Sequence, residues 1–219
     1  MSTVRQLKPA RSLAWIVAGW RYFLGLTRPA LILTALLLCA TLLTAWFTSL
    51  RAASVLFSIL LIVYLGLIAG ACRTFDDGAA VLLFPHSIVR SKALWLVASL
   101  AGAITLALDL LSNSMSVYAQ AASWSGLGVY FLFIKCLSLL AMMALWLAPS
   151  LVVLQGAGPL HAMKLSLLGS LKNILPWLMF SLLAFVFLIV AAIPVGLGLL
   201  AAMPTLAGAA FLAWQDIFT

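Results

Sequence analysis

Charge is what this chain has least of. Only 7% of its 219 residues are charged, and the acidic share is four aspartates. A soluble domain carries about 25% charged residues, so a water-facing exterior is excluded. Catalytic material is equally scarce. Four carboxylates and two histidines, His86 and His161, leave few options for acid–base work. The three cysteines, Cys39, Cys72 and Cys136, form no C-x-x-C pair, which excludes a disulfide framework and a zinc site. Cys39 and Cys136 sit in apolar runs, where cysteine behaves as a small hydrophobe. No nucleophile motif and no phosphate-binding glycine loop is present, so no catalytic residue, cofactor or metal ligand is expected. The start carries Arg5, Lys8 and Arg11 but no compact apolar core before a small-residue cleavage site, so no removable leader is expected.

What the chain has in excess is hydrocarbon. Hydrophobic residues make up 66%, and the mean hydropathy is +1.26. A spanning helix needs about 20 largely apolar residues. Six such runs occur, at residues 30–50, 52–71, 93–111, 127–147, 174–193 and 195–214. The last two are one stretch split at Pro194, where the following Gly196 and Gly198 predict a tight turn. The expected fold is therefore all-α, a polytopic bundle of about six transmembrane helices over residues 29–219.

The few charges punctuate these runs. Ten of the twelve Lys and Arg residues fall at residues 5–28, 73–92 and 164–172, all in gaps on one side of the expected topology. Arg51 alone falls on the other side, and Lys135 lies within the fourth run. Basic residues gather on the cytoplasmic side of membrane helices. The pattern predicts an integral membrane protein with both termini in the cytoplasm. The net charge of +8 then speaks for anionic lipid headgroups rather than nucleic acid.

Two cytoplasmic segments have the periodicity of helices lying in the interface. Within residues 1–28, Leu13, Ile16, Val17, Trp20, Phe23 and Leu24 recur at helical spacing, with Arg11, Ala14, Ala18, Arg21, Gly25 and Arg28 opposite. In residues 159–175, Leu160, Leu167, Leu168 and Leu171 share a side, and Lys164 and Lys172 flank it. Arg11, Arg21, Arg28, Lys164 and Lys172 are the candidate headgroup contacts. Each segment leads into a hairpin near a proline, Pro29 or Pro176, and residues 79–92, interrupted by Pro85, read as a degenerate third copy. The pattern suggests a repeated unit of one interfacial helix plus one hairpin.

Four stretches carry a resemblance: the amphipathic start with its tryptophans, GACRTFDDG at 70–78, LWLAPSLVVLQGAGPLHAMKLSLLGSLKNILPWL at 145–178, and WQDIF at 214–218. Together the chain resembles a family of small, uncharacterised bacterial inner-membrane proteins. The resemblance covers nearly the whole chain and implies a fold but no catalytic residues. The family's tail more usually reads aromatic-Arg-Asp-Ile-Phe, and Gln215 stands here in place of that arginine.

Asp109 and Lys135 are the charges expected inside the membrane. Burying either alone costs roughly 2.5–3.5 kcal/mol on insertion scales. Their expected depths differ by about 9 Å at helical rise, a gap that an extended lysine largely spans. As a pair they would form a polar step in a substrate or proton path; the plainer alternative is a helix-pairing contact. Asp76 and Asp77 precede Gly78 and read as a turn or cap. Asp216 is expected to pair with a basic loop residue. The reading that composition favours is a non-enzymatic membrane protein that organises or regulates a membrane process through anionic lipids or a membrane-protein partner. The alternative is a small transporter or channel using Asp109 and Lys135.

Overall fold

The computed structural model describes residues 4–47, 50–79, 86–119, 124–194 and 196–219. The regular structure there is helical throughout: α1 (Arg11–Gly25), α2 (Thr27–Phe47), α3 (Leu50–Asp76), α4 (His86–Val89), α5 (Lys92–Ala119), α6 (Trp124–Trp146), α7 (Ala148–Gln155), α8 (Pro159–Lys172), α9 (Ile174–Ala192) and α10 (Leu199–Phe218). Five segments are long and apolar enough to cross a membrane: α2, α3, residues 92–114 of α5, residues 128–155 across α6 and α7, and α9.

Helix α3 is the central column. Its apolar window is 61% buried, against 17–39% for the other four, and it packs on α2, α5, α7 and α10. Its inner half, from Ile62 to Cys72, is buried without a break. Leu94, Val97, Ala98, Leu147, Ala148 and Leu151 close over it, each at most 1% exposed.

Helix α10 corresponds to the expected sixth run but is not among the five. Its residues explain the difference. It carries Pro204, Gln215 and Asp216, and much of the rest is Ala and Gly. Small residues serve close approach between helices rather than contact with lipid, and thirteen α10 residues are buried. The turn before it is the one Pro194 and Gly196 predict, with Gly196 at φ 78°; residue 195 lies outside the described residues.

The fourth run is longer than expected and broken. Pro149 has no N–H and its ring displaces the carbonyl of residue 145. At the break the Leu147 N–H no longer bonds Met143. Instead the Ser166 hydroxyl of α8 sits between them, accepting from Leu147 N at 3.1 Å and donating to Met143 O at 2.8 Å. A side chain inserted into the helix ladder is a recognised cause of a kink. Here it also fastens α8 to α6.

The two segments expected to be amphipathic are helices, α1 and α8. Helix α8 turns a small and polar face inward, and α1 buries small residues together with two aromatic ones. On α1 the buried residues are Ser12, Trp15, Gly19 and Phe23, while Leu13, Val17, Trp20 and Leu24 are exposed. On α8 they are Ala162, Ser166, Gly169 and Ser170, with Leu160, Leu168 and Leu171 exposed. The third segment reduces to the four-residue α4; residues 80–85, with Pro85, lie outside the described residues.

Helix α1 lies against α10 at backbone distance. A Cβ on Gly19 would collide with the Thr205 carbonyl oxygen and sit 2.9 Å from Ala209 N, and one on Gly208 would come within 3.2 Å of Tyr22 Cβ. Gly19→Leu is expected to force the helices apart and cost about 1–3 kcal/mol. Thermal unfolding in mild detergent checks this; a midpoint equal to that of the wild type would contradict the contact.

Candidate functional site

The polar residues of this chain converge at the end of the bundle that carries both termini. Arg5 N–H donates to Ile217 O at 3.0 Å, so residue 5 lies beside the last turn of α10. Asn173, between α8 and α9, is 2% exposed. Its carboxamide accepts from Leu7 N–H at 2.8 Å and donates to Arg5 O at 2.9 Å and Gly169 O at 3.0 Å. An unpaired buried amide would be costly; here two of the three bonds tie the N-terminal segment to the α8–α9 joint, and the third returns to α8.

Asp216 closes the same end. Arg11 of α1 donates to both of its oxygens, from Nε at 2.7 Å and Nη2 at 2.9 Å, and Trp15 Nε1 donates at 2.7 Å. Burial alone would raise the Asp216 carboxyl. The bonds from Arg11 and Trp15 and the charges of Arg11 and Arg5 outweigh it and hold the group below the usual carboxylate range. The expected pairing of Asp216 with a basic residue is thus made by Arg11. Gln215 beside it donates to Asp76 at 3.2 Å.

Asp76 is the last residue of α3. It also accepts the Tyr22 hydroxyl on both oxygens, at 2.8 and 2.9 Å. Burial, then this bond, pushes the Tyr22 phenol above its ordinary value and keeps it a donor. Asp77 and Gly78 form the turn their sequence predicts, and Arg73 pairs with Asp77 at 3.5 Å. Arg21, Tyr22, Phe75 and Asp76 line a hollow of about 250 Å³ with Ala18 and Leu212. Among the described residues, the Trp214 indole N–H is the buried side-chain donor that finds no acceptor, and its ring stacks on Phe211.

The five candidate headgroup residues divide. Arg11 is engaged with Asp216 and Arg21 borders the 250 Å³ hollow. Arg28, Lys164 and Lys172 are exposed. His161 is exposed as well, and the His86 side chain lies outside the described ones.

Asp109 and Lys135 are not brought together. Asp109 accepts the Ser54 hydroxyl at 2.7 Å and faces an open hollow of about 420 Å³ with Arg51, Ser112 and Asn113. The next rung toward the middle is Ser58 donating to Thr105 at 2.8 Å. These bonds join α3 to α5, the helix-pairing alternative rather than a charged pair. Lys135 is exposed on α6, its Nζ 5.1 Å from the centre of the Phe131 ring.

A second feature lies deeper in the bundle. Helix α6 packs on α5, α7 and α8 but stands off α3. Two apolar hollows of about 350 and 300 Å³ fill the gap, and both are bounded by Phe57, Leu61, Leu65, Met142 and Trp146. They adjoin along these shared residues as a larger and a smaller lobe. The larger runs between α9 and α10, along α9 from Trp177 to Leu188; the smaller reaches Ala101 and Leu108 of α5. Sequence reasoning missed this cavity, because its walls are the same Leu, Phe and Met that fill any apolar run.

Comparison with protein-family models, curated proteins and solved structures finds no match for this chain.

Asp216→Ala would leave the Trp15 indole, 3% exposed, without an acceptor. Stranding a buried donor costs about 1–3 kcal/mol, and the exposed Arg11 adds little. The group's pKa is depressed, so its contribution is full above the ordinary carboxylate value near pH 4 and fades as pH falls through the lowered one. The Tm difference between wild type and Asp216→Ala should be constant from pH 5 to 8 and shrink in stronger acid. A difference that grows on acidification would contradict the assignment.

Proposed function

We propose that the chain is a non-enzymatic integral protein of the bacterial inner membrane, with six spanning helices and both termini in the cytoplasm. It organises or regulates a membrane process through anionic lipids and a membrane-protein partner. The five apolar helices support insertion, and α10, 20 residues long, supplies the sixth span from the middle of the bundle. The bond between Arg5 and Ile217 draws the chain ends together at the basic end, and the positive-inside bias assigns that end to the cytoplasm.

The observation that carries the lipid reading is the shared design of α1 and α8. Each presents leucines outward, each buries small residues where it packs, with Trp15 and Phe23 beside them on α1, and each bears exposed basic residues. A helix anchored this way offers hydrocarbon to acyl chains and cations to phosphates. Transport through the bundle, with Asp109 and Lys135 as polar steps, has less behind it. The face of α3 is covered by fully buried Leu94, Val97, Leu147 and Leu151, and Asp109 is engaged with Ser54 in an open hollow.

A basic residue close to an anionic surface is worth about 1 kcal/mol. Arg21→Glu with Arg28→Glu should therefore lower, several-fold, the enrichment of anionic over neutral lipid in native-membrane particles extracted with the protein. Lipid composition of those particles is the readout. Enrichment unchanged by the double reversal would count against the reading.

A further inference from the structure

The two-lobed cavity between α3 and α6 calls for an occupant, and three features restrict it. The first is chemistry. Among the side chains lining the larger lobe, hydroxyls come only from Tyr64 and Ser181, and the Tyr64 hydroxyl is taken by Thr34 at 3.0 Å. The walls are otherwise aromatic, aliphatic and thioether, which suits hydrocarbon.

The second is size. The stripe of α9 from Trp177 to Leu188 is about 16 Å long at helical rise. A helix about 10 Å across would need on the order of 1,200 Å³ over that length. The lobe holds about 350 Å³ and its neighbour about 300 Å³. A whole helix does not fit within either lobe and could only lie across its mouth. Slender chains fit, and the two lobes offer separate places for two of them. The rim residue Phe185 is exposed on the apolar surface of α9, with Leu188 half-buried beside it, so the larger lobe is bordered by the hydrocarbon region that would supply them.

The third is charge at one lip. Phe180 in the wall of the larger lobe contacts Trp146 and Trp15, with ring centres 5.3 and 6.0 Å away. Trp15 leads to Asp216 and Arg11. Asn173, one turn before Trp177, holds the backbone of Arg5 and Leu7, and Lys172 is its neighbour in sequence. Arg11 offsets Asp216, which leaves this end of the bundle positive through Arg5 and Lys172, both exposed.

We infer that the cavity between α3 and α6 binds the two hydrocarbon chains of an anionic phospholipid, with its phosphate at the Arg5–Lys172 lip. The inference rests on the lipid-contact reading and gives it a site. The protein would then carry one bound lipid within its fold, distinct from lipids gathered at the surface by Arg21 and Arg28.

Native mass spectrometry of the full chain, released from nanodiscs of equal parts phosphatidylglycerol and phosphatidylcholine, tests it. The wild type should retain one phosphatidylglycerol. Ala184→Phe with Ala207→Phe fills the larger lobe and should reduce retention on the order of ten-fold, as when about two methylenes fail to bury. Arg5→Gln with Lys172→Gln should still retain a lipid but lose the preference for phosphatidylglycerol, by about five-fold per charge. Equal retention by the filled variant and the wild type would overturn the site, and so would a wild type that retains phosphatidylcholine equally. If the filled variant does not fold, phosphatidylglycerol brominated in mid-chain decides on the folded protein. Quenching of tryptophan fluorescence that falls when Trp146 and Trp177 are replaced by Phe supports the site, and quenching unaffected by those replacements contradicts it. A filled variant that keeps its lipid, beside an Arg21→Glu, Arg28→Glu protein that loses anionic enrichment, would sink this site and leave the broader lipid reading standing.

Discussion

The contact between α1 and α10 is the constraint from which the rest of the basic end follows. Gly19 and Gly208 let the two backbones approach until no side chain fits between them. That approach sets Arg11 and Trp15 over Asp216 and brings Tyr22 to Asp76. Helix α10 is thereby held between the first helix of the chain and the end of α3. The N-terminal segment is carried past Ile217 to Asn173, which ties in α8 and α9. Without the close approach these bonds would have to span the width of a side chain, and none of them has length to spare.

The same logic bears on how α1 and α8 pack. In water the leucine face of α1 would be the one buried. In a membrane, lipid tails are as apolar as leucine, so helix association depends on close packing and hydrogen bonds between small and polar residues. Ser12, Gly19, Ser166, Gly169 and Ser170 are buried, with Trp15 and Phe23 beside the first two, and Leu13, Leu24, Leu160, Leu168 and Leu171 are exposed. Where that rule is not met, between α3 and α6, large residues on both sides hold the helices apart and a cavity results.

The long helices were legible because apolar run length and gap charges are local properties. The Pro194–Gly196 turn and the Asp77–Gly78 turn were legible for the same reason. The break at Leu147 was half legible: Pro149 announces it, but Ser166, which mends it, lies on another helix. Asp216 was readable only as a residue in need of a cation, because Arg11 lies 205 positions away. Asp76 reads in the sequence as part of a turn or cap, and its partners Tyr22 and Gln215 are brought in by α1 and α10. Asp109 and Lys135 were grouped by depth alone; rotation about the helix axis, which a run of leucines leaves undefined, gave Asp109 to Ser54 and Lys135 to Phe131. The packing face of α1 had a signal that went unused: Ser12 and Gly19 are small residues of the kind that marks helix contacts in membranes.

The central claim is that α1 is an integral part of the bundle, locked to α10, and not a helix resting loosely at its surface. Hydrogen–deuterium exchange of the full chain in lipid nanodiscs measures this directly. The account predicts that amides of α1 from Trp15 to Phe23 exchange as slowly as those of α10 from Thr205 to Trp214, since both open only when the shared contact opens. Exchange in α1 that is orders of magnitude faster than in α10 would contradict it.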